Sequence, residues 1–324
     1  MFFLKGKANA KGLVGLSIES NKISLAQVVL GNGGAPSLEL LDSVRFENES
    51  EQTLLLSELV KKNKLTNASC NLVIDPSLYS LLQVEAPDVA DDELKQALKW
   101  QIADLIDFPV DEAIIDVFKV PEQSNLGAGR PKLIYAAVMH MPAHYLLMGL
   151  VKSSGLKLVS IDIAELVLRN IASHLPEDEG GVALLHAADK WSLVNLTQQS
   201  LVYITRGLGS NLRQLSTIEE ALAGEFGIGF EDSTRLDNLV LEIQRSLGYY
   251  ESYYGQAPIG SLVVTPTYPE LPSFIHHLST HLGIPARVLD LNVLLTTKIP
   301  LDLTQQADGL LAVAAALRIQ EQQK

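Results

Sequence analysis

Apolar and polar positions alternate in short runs near the head of the chain and again near its middle. From Gly12 the chain reads GLVGLSIESNKISLAQVVL, and from Gly180 it reads GGVALLHAADKWSLVNLTQ. Each run is an apolar strand, a polar tip (Ser20-Asn21-Lys22 or Ala188-Asp189-Lys190) and an alternating strand, the pattern of a β-hairpin. Setting Lys22 on Lys190 (190 − 22 = 168) also aligns Ser24 with Ser192 and Leu25 with Leu193. A third strand is predicted after each hairpin, over 38–46 and 201–206. A repeat at the head of each half predicts a duplicated α/β architecture.

Between and after the hairpins, helical and strand periods take turns, as in helices packed on a mixed sheet. Residues 51–65 space Leu55, Leu59 and Val60 as a helix, and 70–75 form a strand stopped by Pro76. The strongest amphipathic pattern covers 91–106, with Leu94, Leu98, Ile102, Leu105 and Ile106 on one stripe. Asp91, Asp92 and Glu93 crowd its first turn, where the helix dipole favours negative charge. Pro109 marks its end. Strands over 113–120 and 132–141 flank the loop PEQSNLGAGRP, followed by helix 142–154, strand 158–162 and helix 164–174. Leu175-Pro176-Glu177-Asp178-Glu179-Gly180-Gly181 reads as a linker. Beyond it the pattern predicts three strands, helices 212–226 and 237–254, strand 262–265, helix 269–282, strand 287–289 and helix 305–320.

Composition narrows the class. A chain of 324 residues exceeds one ordinary core, so two domains or one duplicated domain is expected. With 47% hydrophobic and 19% charged residues it buries a large core. Twenty-five basic against 38 acidic side chains give a net charge of −13. That balance argues against a general nucleic-acid binder and against adhesion to anionic lipid, and it allows a basic partner. The single cysteine, Cys70, excludes an internal disulfide and multi-cysteine zinc sites, and fits a reducing cytoplasm. Mean hydropathy is +0.17. The longest apolar stretch, GLLAVAAAL over 309–317, is about half of the ~20 residues a spanning helix needs, so it predicts a buried helix. MFFLKGKANAKG has only Phe2-Phe3-Leu4 ahead of its lysines, too little for a signal-peptide core. A frayed terminus is expected, with a short membrane-touching foot as the alternative.

Catalytic signatures are missing. There is no GxSxG, Walker A, HExxH or strand-borne GxGxxG motif. GEFGIG (224–229) lies between two helices and reads as a loop. His277 and His281 share a helical spacing that could hold a metal, but no third ligand is near. Pro142 breaks the helix that would align His140 with His144. Asp104, Asp107, Asp111 and Asp116 form no general acid–base pair. No metal and no catalytic constellation is expected.

A duplicated α/β chain whose halves each open with a hairpin resembles the actin superfamily. VGLSIESNKISLAQV, DELKQALKWQIADLIDFPVDEAIIDV, LVYITRGLG, LEIQRSLGYYESYYG and GLLAVAAALR resemble, in order, segments of the PilM/MshI family of type IV pilus assembly proteins. The eroded loops look closest to the branch of mannose-sensitive haemagglutinin (MSHA) pili. The resemblance implies a duplicated actin-like (ribonuclease H-like, FtsA-related) two-domain fold with an inserted α+β subdomain. Domain one would span 1–175 with its insert near 90–141, and domain two 176–324. It implies a cytoplasmic adaptor that grips the N-terminal tail of a PilN-like inner-membrane protein, meets other pilus components and touches the membrane only through that partner. The tail would lie between the first subdomain and the insert, with Leu94, Leu98, Ile102 and Phe108 lining or supporting the groove; plain core packing is the alternative reading of those residues.

The same resemblance bears on nucleotide. Actin-like phosphate loops normally carry an Asp and a Gly, where this chain has Ser17 and Glu19; in the second loop the positions fall near His186 and Ala188. The adenosine loop, normally glycine-rich, reads Val264-Thr265-Pro266-Thr267-Tyr268-Pro269. A carboxylate ~5 Å from a phosphate charge costs on the order of 3 kcal/mol at an effective dielectric of ~20. Glu242, Arg245 and Ser246 keep the spacing by which related proteins flank adenosine, or form an ordinary helix-surface pair. The expectation is an adaptor without a required cofactor and at most a weak ATPase. The alternative is a nucleotide-switched ATPase binding Mg-ATP through non-standard loops.

Overall fold

The head of the chain folds as the hairpin its alternation predicts. In the computed structural model, which describes residues 2–3, 12–30, 35–90, 93–121, 132–224 and 228–318, a two-residue strand β1 (Phe2–Phe3) precedes β2 (Leu13–Ile18) and β3 (Lys22–Leu30). β2 and β3 pair antiparallel, with Ile18 opposite Ile23. β4 (Pro36–Arg45), helix α1 (Gln52–Lys62) and β5 (Ser69–Val73) follow. An inserted layer then holds β6 (Tyr79–Glu85), α2 (Leu94–Ile102), β7 (Ala113–Lys119) and β8 (Leu133–His140). The chain returns through α3 (Met141–Ser154), β9 (Lys157–Asp162) and α4 (Ala164–Ala172).

These elements, with α4 only as far as Val167, build the first of two compact units, which spans residues 1–120 and 126–167 and takes in 311–324 from the far end of the chain. Its main sheet runs β1-β9-β5-β2-β3-β4, with β2, β5 and β9 mutually parallel. The pairing of β1 on β9, Phe2 opposite Ile161, replaces the frayed terminus expected for these two residues. Leu4, the third residue of the proposed foot, lies outside the described residues. The insert has its own antiparallel sheet, β6-β8-β7. It takes in Tyr79–Glu85, ahead of residue 90, a strand the sequence pattern did not announce. The reason is local: Pro76 stops β5 only for a short turn, in which Asp75 accepts from the Ser77 amide at 2.9 Å, and the extended chain resumes at once.

The second unit holds residues 168–310 together with 121–125. It comprises β10 (Val182–Ala187), β11 (Ser192–Gln198), β12 (Leu201–Leu208), α5 (Leu212–Ala223), α6 (Phe230–Tyr254), β13 (Leu262–Val264), α7 (Pro272–Leu282), β14 (Ala286–Val288) and α8 (Leu291–Leu294). The last helix, α9 (Leu303–Ala316), begins here and ends in the first unit. The sheet runs β12-β11-β10-β13-β14. In each unit, with β1 and the insert left aside, the first three strands and two later ones stand in the order third, second, first, fourth, fifth. The duplication is structural. Its register is one residue longer than the sequence identities suggested: Gly12 and Gly181 both take positive φ (+85° and +99°) ahead of the first strand, and 181 − 12 = 169. The pairs Ile18–Ile23 and Ala187–Ser192 that close the two hairpins show the same offset. Backbone geometry, not the three shared letters, sets the equivalence.

Two further readings change. Residues 176–179 form a short 3-10 turn, not a free linker. Asp178 is buried there and accepts from the Thr197 hydroxyl at 2.8 Å and the Ser200 amide at 2.6 Å. α6 starts at Phe230, earlier than its apolar stripe, because its polar first turns are held by Arg235 on Glu231 and Asp232.

Two hydrogen bonds of the Tyr79 hydroxyl fasten the insert to the main body of the first unit. The Tyr79 hydroxyl donates to Glu165 Oε2 at 2.6 Å and accepts from the Ala164 amide at 3.2 Å. Burial raises the Glu165 pKa, partly offset by the Tyr79 bond. The native state therefore holds this proton more tightly than the unfolded chain. The contribution of this carboxyl to stability is fully present below the ordinary glutamate value of ~4.3 and is lost as pH rises through the raised folded value. Tyr79→Phe is expected to cost about 2–3 kcal/mol near neutral pH, where a buried carboxylate loses its donor. The cost shrinks as pH falls and the carboxyl is neutralised. Urea unfolding at pH 7.5 and at mildly acid pH checks this; an equal loss at both would remove Glu165 from the explanation.

Candidate functional site

The two hairpin tips are where an actin-like chain would meet phosphate. In the first, Ser17 is buried and donates to Glu19 Oε1 at 3.3 Å, and Lys22 Nζ lies 3.2 Å from the same oxygen. The Glu19 amide closes the turn on the Lys22 carbonyl at 2.9 Å. Glu19 is thus a paired carboxylate, and the repulsion estimated for a bare charge is partly cancelled by the ammonium beside it. In the second tip, the residue equivalent to Ser17 is His186, buried, with Nδ1 2.9 Å from Thr265 Oγ1 and its ring 4.9 Å from that of Trp191. Ala188 stands where Glu19 does, and its amide donates to the Trp191 carbonyl. Each tip thus carries a buried polar side chain, Ser17 or His186, with a partner of its own, where a phosphate loop presents bare backbone amides.

The second unit carries a pocket of about 670 Å³ along the outer side of α6, reaching Gly209 and Ser210 just after β12. Glu242 and Arg245 line it together with Phe230, Thr234 and Asn238. Glu242 Oε2 is buried with no hydrogen-bond partner among the described residues, and Arg245 is exposed. Phe230 stands 90% exposed at the start of the helix. The wall therefore offers an unsatisfied acceptor, a guanidinium and one free aromatic ring, a set suited to a planar ligand with N–H donors. Ser246 is not part of it. Its side chain is buried and its hydroxyl donates back to the Glu242 carbonyl at 2.8 Å, so the expected trio reduces to a pair.

On the insert, Leu94, Leu98 and Ile102 are buried in one core with Val84, Ile115, Ile134 and Val138. Phe108 packs partly against that core and stacks on His140 at 4.6 Å, and His140 Nε2 lies 2.8 Å from Glu112. The first three side chains pack α2 onto its sheet, the arrangement that the core alternative describes. Lys95 adds a 2.8 Å ion pair to Asp116 of β7. Among the described residues of α2 and the turn after it, the large apolar groups that face outward are Trp100, 80% exposed, and Leu105, which the stripe places inside. α2 ends at Ile102 in a tighter 3-10 turn, and that change of pitch turns Leu105 out.

Among the described residues no cluster of three or more metal-ligating side chains occurs. His277 and His281 stack at 3.8 Å, and His281 Nδ1 is 2.9 Å from the His277 carbonyl. No helix among the described residues is long and apolar enough to cross a membrane.

No family model and no curated protein matches the chain. Solved structures do. A Bacteroides thetaiotaomicron protein with an actin-like ATPase fold aligns over 93% of this chain and 96% of its own at 8% identity, TM-score 0.50. Together with the repeated strand order, this makes the chain a two-domain actin-like fold. Within that class it is similar to the structure of the PilM-PilN type IV pilus biogenesis complex. The alignment covers 95% of this chain and 98% of that one, with a TM-score of 0.72 and 17% identity.

Proposed function

We propose that this protein is an actin-like adaptor of type IV pilus assembly, of the MSHA type, which grips the cytoplasmic N-terminal tail of a PilN-like inner-membrane protein. The observation that carries the reading is the near-complete mutual coverage with the PilM-PilN structure. The protein stays cytoplasmic and reaches the inner membrane through that partner and neighbouring assembly components. The outer face of α2 and the turn after it, with Trp100, Leu105 and the half-buried Phe108, supply the apolar groups for the tail. Nucleotide is not needed for the grip. The filled hairpin tips, with Ser17, Glu19 and Lys22 in one and His186 on Thr265 in the other, support that part of the reading.

A second reading is a nucleotide-switched ATPase of the same assembly. The pocket holding Glu242 and Arg245 is the observation in its favour. One experiment separates the two: fluorescence anisotropy of a labelled peptide copying the N-terminal cytoplasmic tail of the PilN-like protein, with and without Mg-ATP. Saturable binding that Mg-ATP leaves unchanged is the expected result. Absence of binding sinks the adaptor, and a tenfold shift of affinity with Mg-ATP installs the switch.

A further inference from the structure

Two turns of the first unit meet at the end of its sheet where β5 and β9 begin. The Asn67 amide donates to the Gly155 carbonyl at 2.7 Å, and the Lys157 amide donates to the Ala68 carbonyl at 2.9 Å. These turns carry Lys61, Lys62, Lys64, Lys152 and Lys157, all exposed, and residues 61–69 and 152–157 contain no acid. In a chain with 25 basic against 38 acidic side chains, this is a local reversal of sign. Lys62 is already paired with Asp42 at 2.8 Å. Among the described residues, the other four form no ion pair. The nearest acid in sequence is Glu58, one turn back on α1.

Helix chemistry explains part of the cluster, because Lys61, Lys62 and Lys152 sit in the last turns of α1 and α3, where the dipole favours cations. It does not explain Lys64 and Lys157, which lie beyond the helices. Lys64 takes φ +57° just past the end of α1, a position that glycine normally fills without strain.

We propose that this face rests on anionic phospholipid headgroups of a bilayer. The choice of partner follows from what the face lacks. None of the large exposed apolar side chains lies in these two turns, whose other exposed residues are Thr66, Asn67 and Ser153. Protein interfaces centre on buried aromatic and apolar anchors, whereas a lipid surface asks only for positive charge. The net charge of −13 argued against such adhesion, but charges beyond ~8–10 Å are screened at physiological salt, so the local patch decides contact and orientation. The inference does not depend on the tail-binding reading, and it adds a direct lipid contact to the membrane association that the partner provides.

The test is flotation of the whole protein with phosphatidylcholine vesicles, with and without one third phosphatidylglycerol. Retention on the anionic vesicles alone, declining with salt, is expected. Each lysine near the surface contributes roughly fivefold, so Lys64→Glu with Lys157→Glu should lower partition by at least ~10-fold. Lys190→Glu with Arg213→Glu, an equal charge change at exposed sites of the second unit, should retain it. Should the glutamate pair lower the melting temperature, Lys64→Gln with Lys157→Gln repeats the measurement. The proposal is overturned if the wild type ignores anionic vesicles at low salt, if the control pair loses as much, or if polyglutamate competes the vesicles away at equal charge, which would make the partner an acidic protein. Anisotropy with the tail peptide on the same variants keeps the two readings apart, since tail binding should not change.

Discussion

A single methyl group added at Gly15 is expected to cost the first unit about 3 kcal/mol or more. The Cβ of Gly15→Ala would stand 1.8 Å from the Ala312 carbonyl oxygen and 2.5 Å from the Ala316 amide nitrogen. Both are backbone atoms of the last helix, so no side chain can swing aside. Overpacking a core costs ~1–3 kcal/mol where side chains adjust, and a helix that must move as a body lies at or above the top of that range. The contact is so close because the helix presents only small residues there: Ala312, Ala314, Ala315 and Ala316 are all buried. The sequence run GLLAVAAAL is the partner that a strand glycine requires. Gly149→Ala is the matched control, since a methyl there meets nothing within 4 Å on the open side of α3. It should be neutral or stabilising by up to ~1 kcal/mol. Thermal melting decides: a wild-type melting temperature for Gly15→Ala would mean the helix is not seated on β2.

The second large effect separates core from surface on α2. Leu98 is 0% exposed, at the centre of the insert core. Leu98→Glu places a carboxylate among Ile102, Ile115, Ile134 and Val138, and should cost more than ~4 kcal/mol. That is enough to unfold a layer of three strands and one helix, and tail binding goes with it. Trp100, two residues on, points away. Trp100→Ala should change stability by less than ~0.5 kcal/mol and weaken tail binding on the order of tenfold, the scale of an aromatic anchor. Melting curves with peptide anisotropy read both. A folded Leu98→Glu would contradict the packing of α2, and unchanged affinity in Trp100→Ala would move the tail elsewhere.

The asymmetry between these two residues shows why the proposed binding surface was not legible from the stripe. Leu94, Leu98 and Ile102 recur at helical spacing, and that recurrence marks the side facing a core; an exposed dock has no such period. Only a solitary aromatic off the stripe hinted at the outward face. The pocket on α6 was half legible. Glu242 and Arg245 share a face by spacing alone, whereas Gly209, Ser210 and Phe230 come to it through a fold that no local pattern encodes. Ser246 shares the spacing but does not line that pocket, because it lies on the buried side of the same helix with its hydroxyl on the i−4 carbonyl. Glu19 read as a bare charge because its partner Lys22 joins it only when the hairpin closes.

What the sequence determined by itself is everything that depends on neighbours along the chain. The two opening hairpins, the amphipathic helices, the buried terminal helix and the duplicated α/β class follow from periods of 2 and 3.6 and from turn residues. Tertiary structure alone decided the offset of 169 between the halves, the burial of Asp178 in a segment that looked like a linker, and the approach of Ala312 to Gly15. It also brought together the two lysine turns that lie about ninety residues apart in sequence. These depend on which distant segments pack together, and packing is selected by the shape and charge of the whole core, which no local window contains.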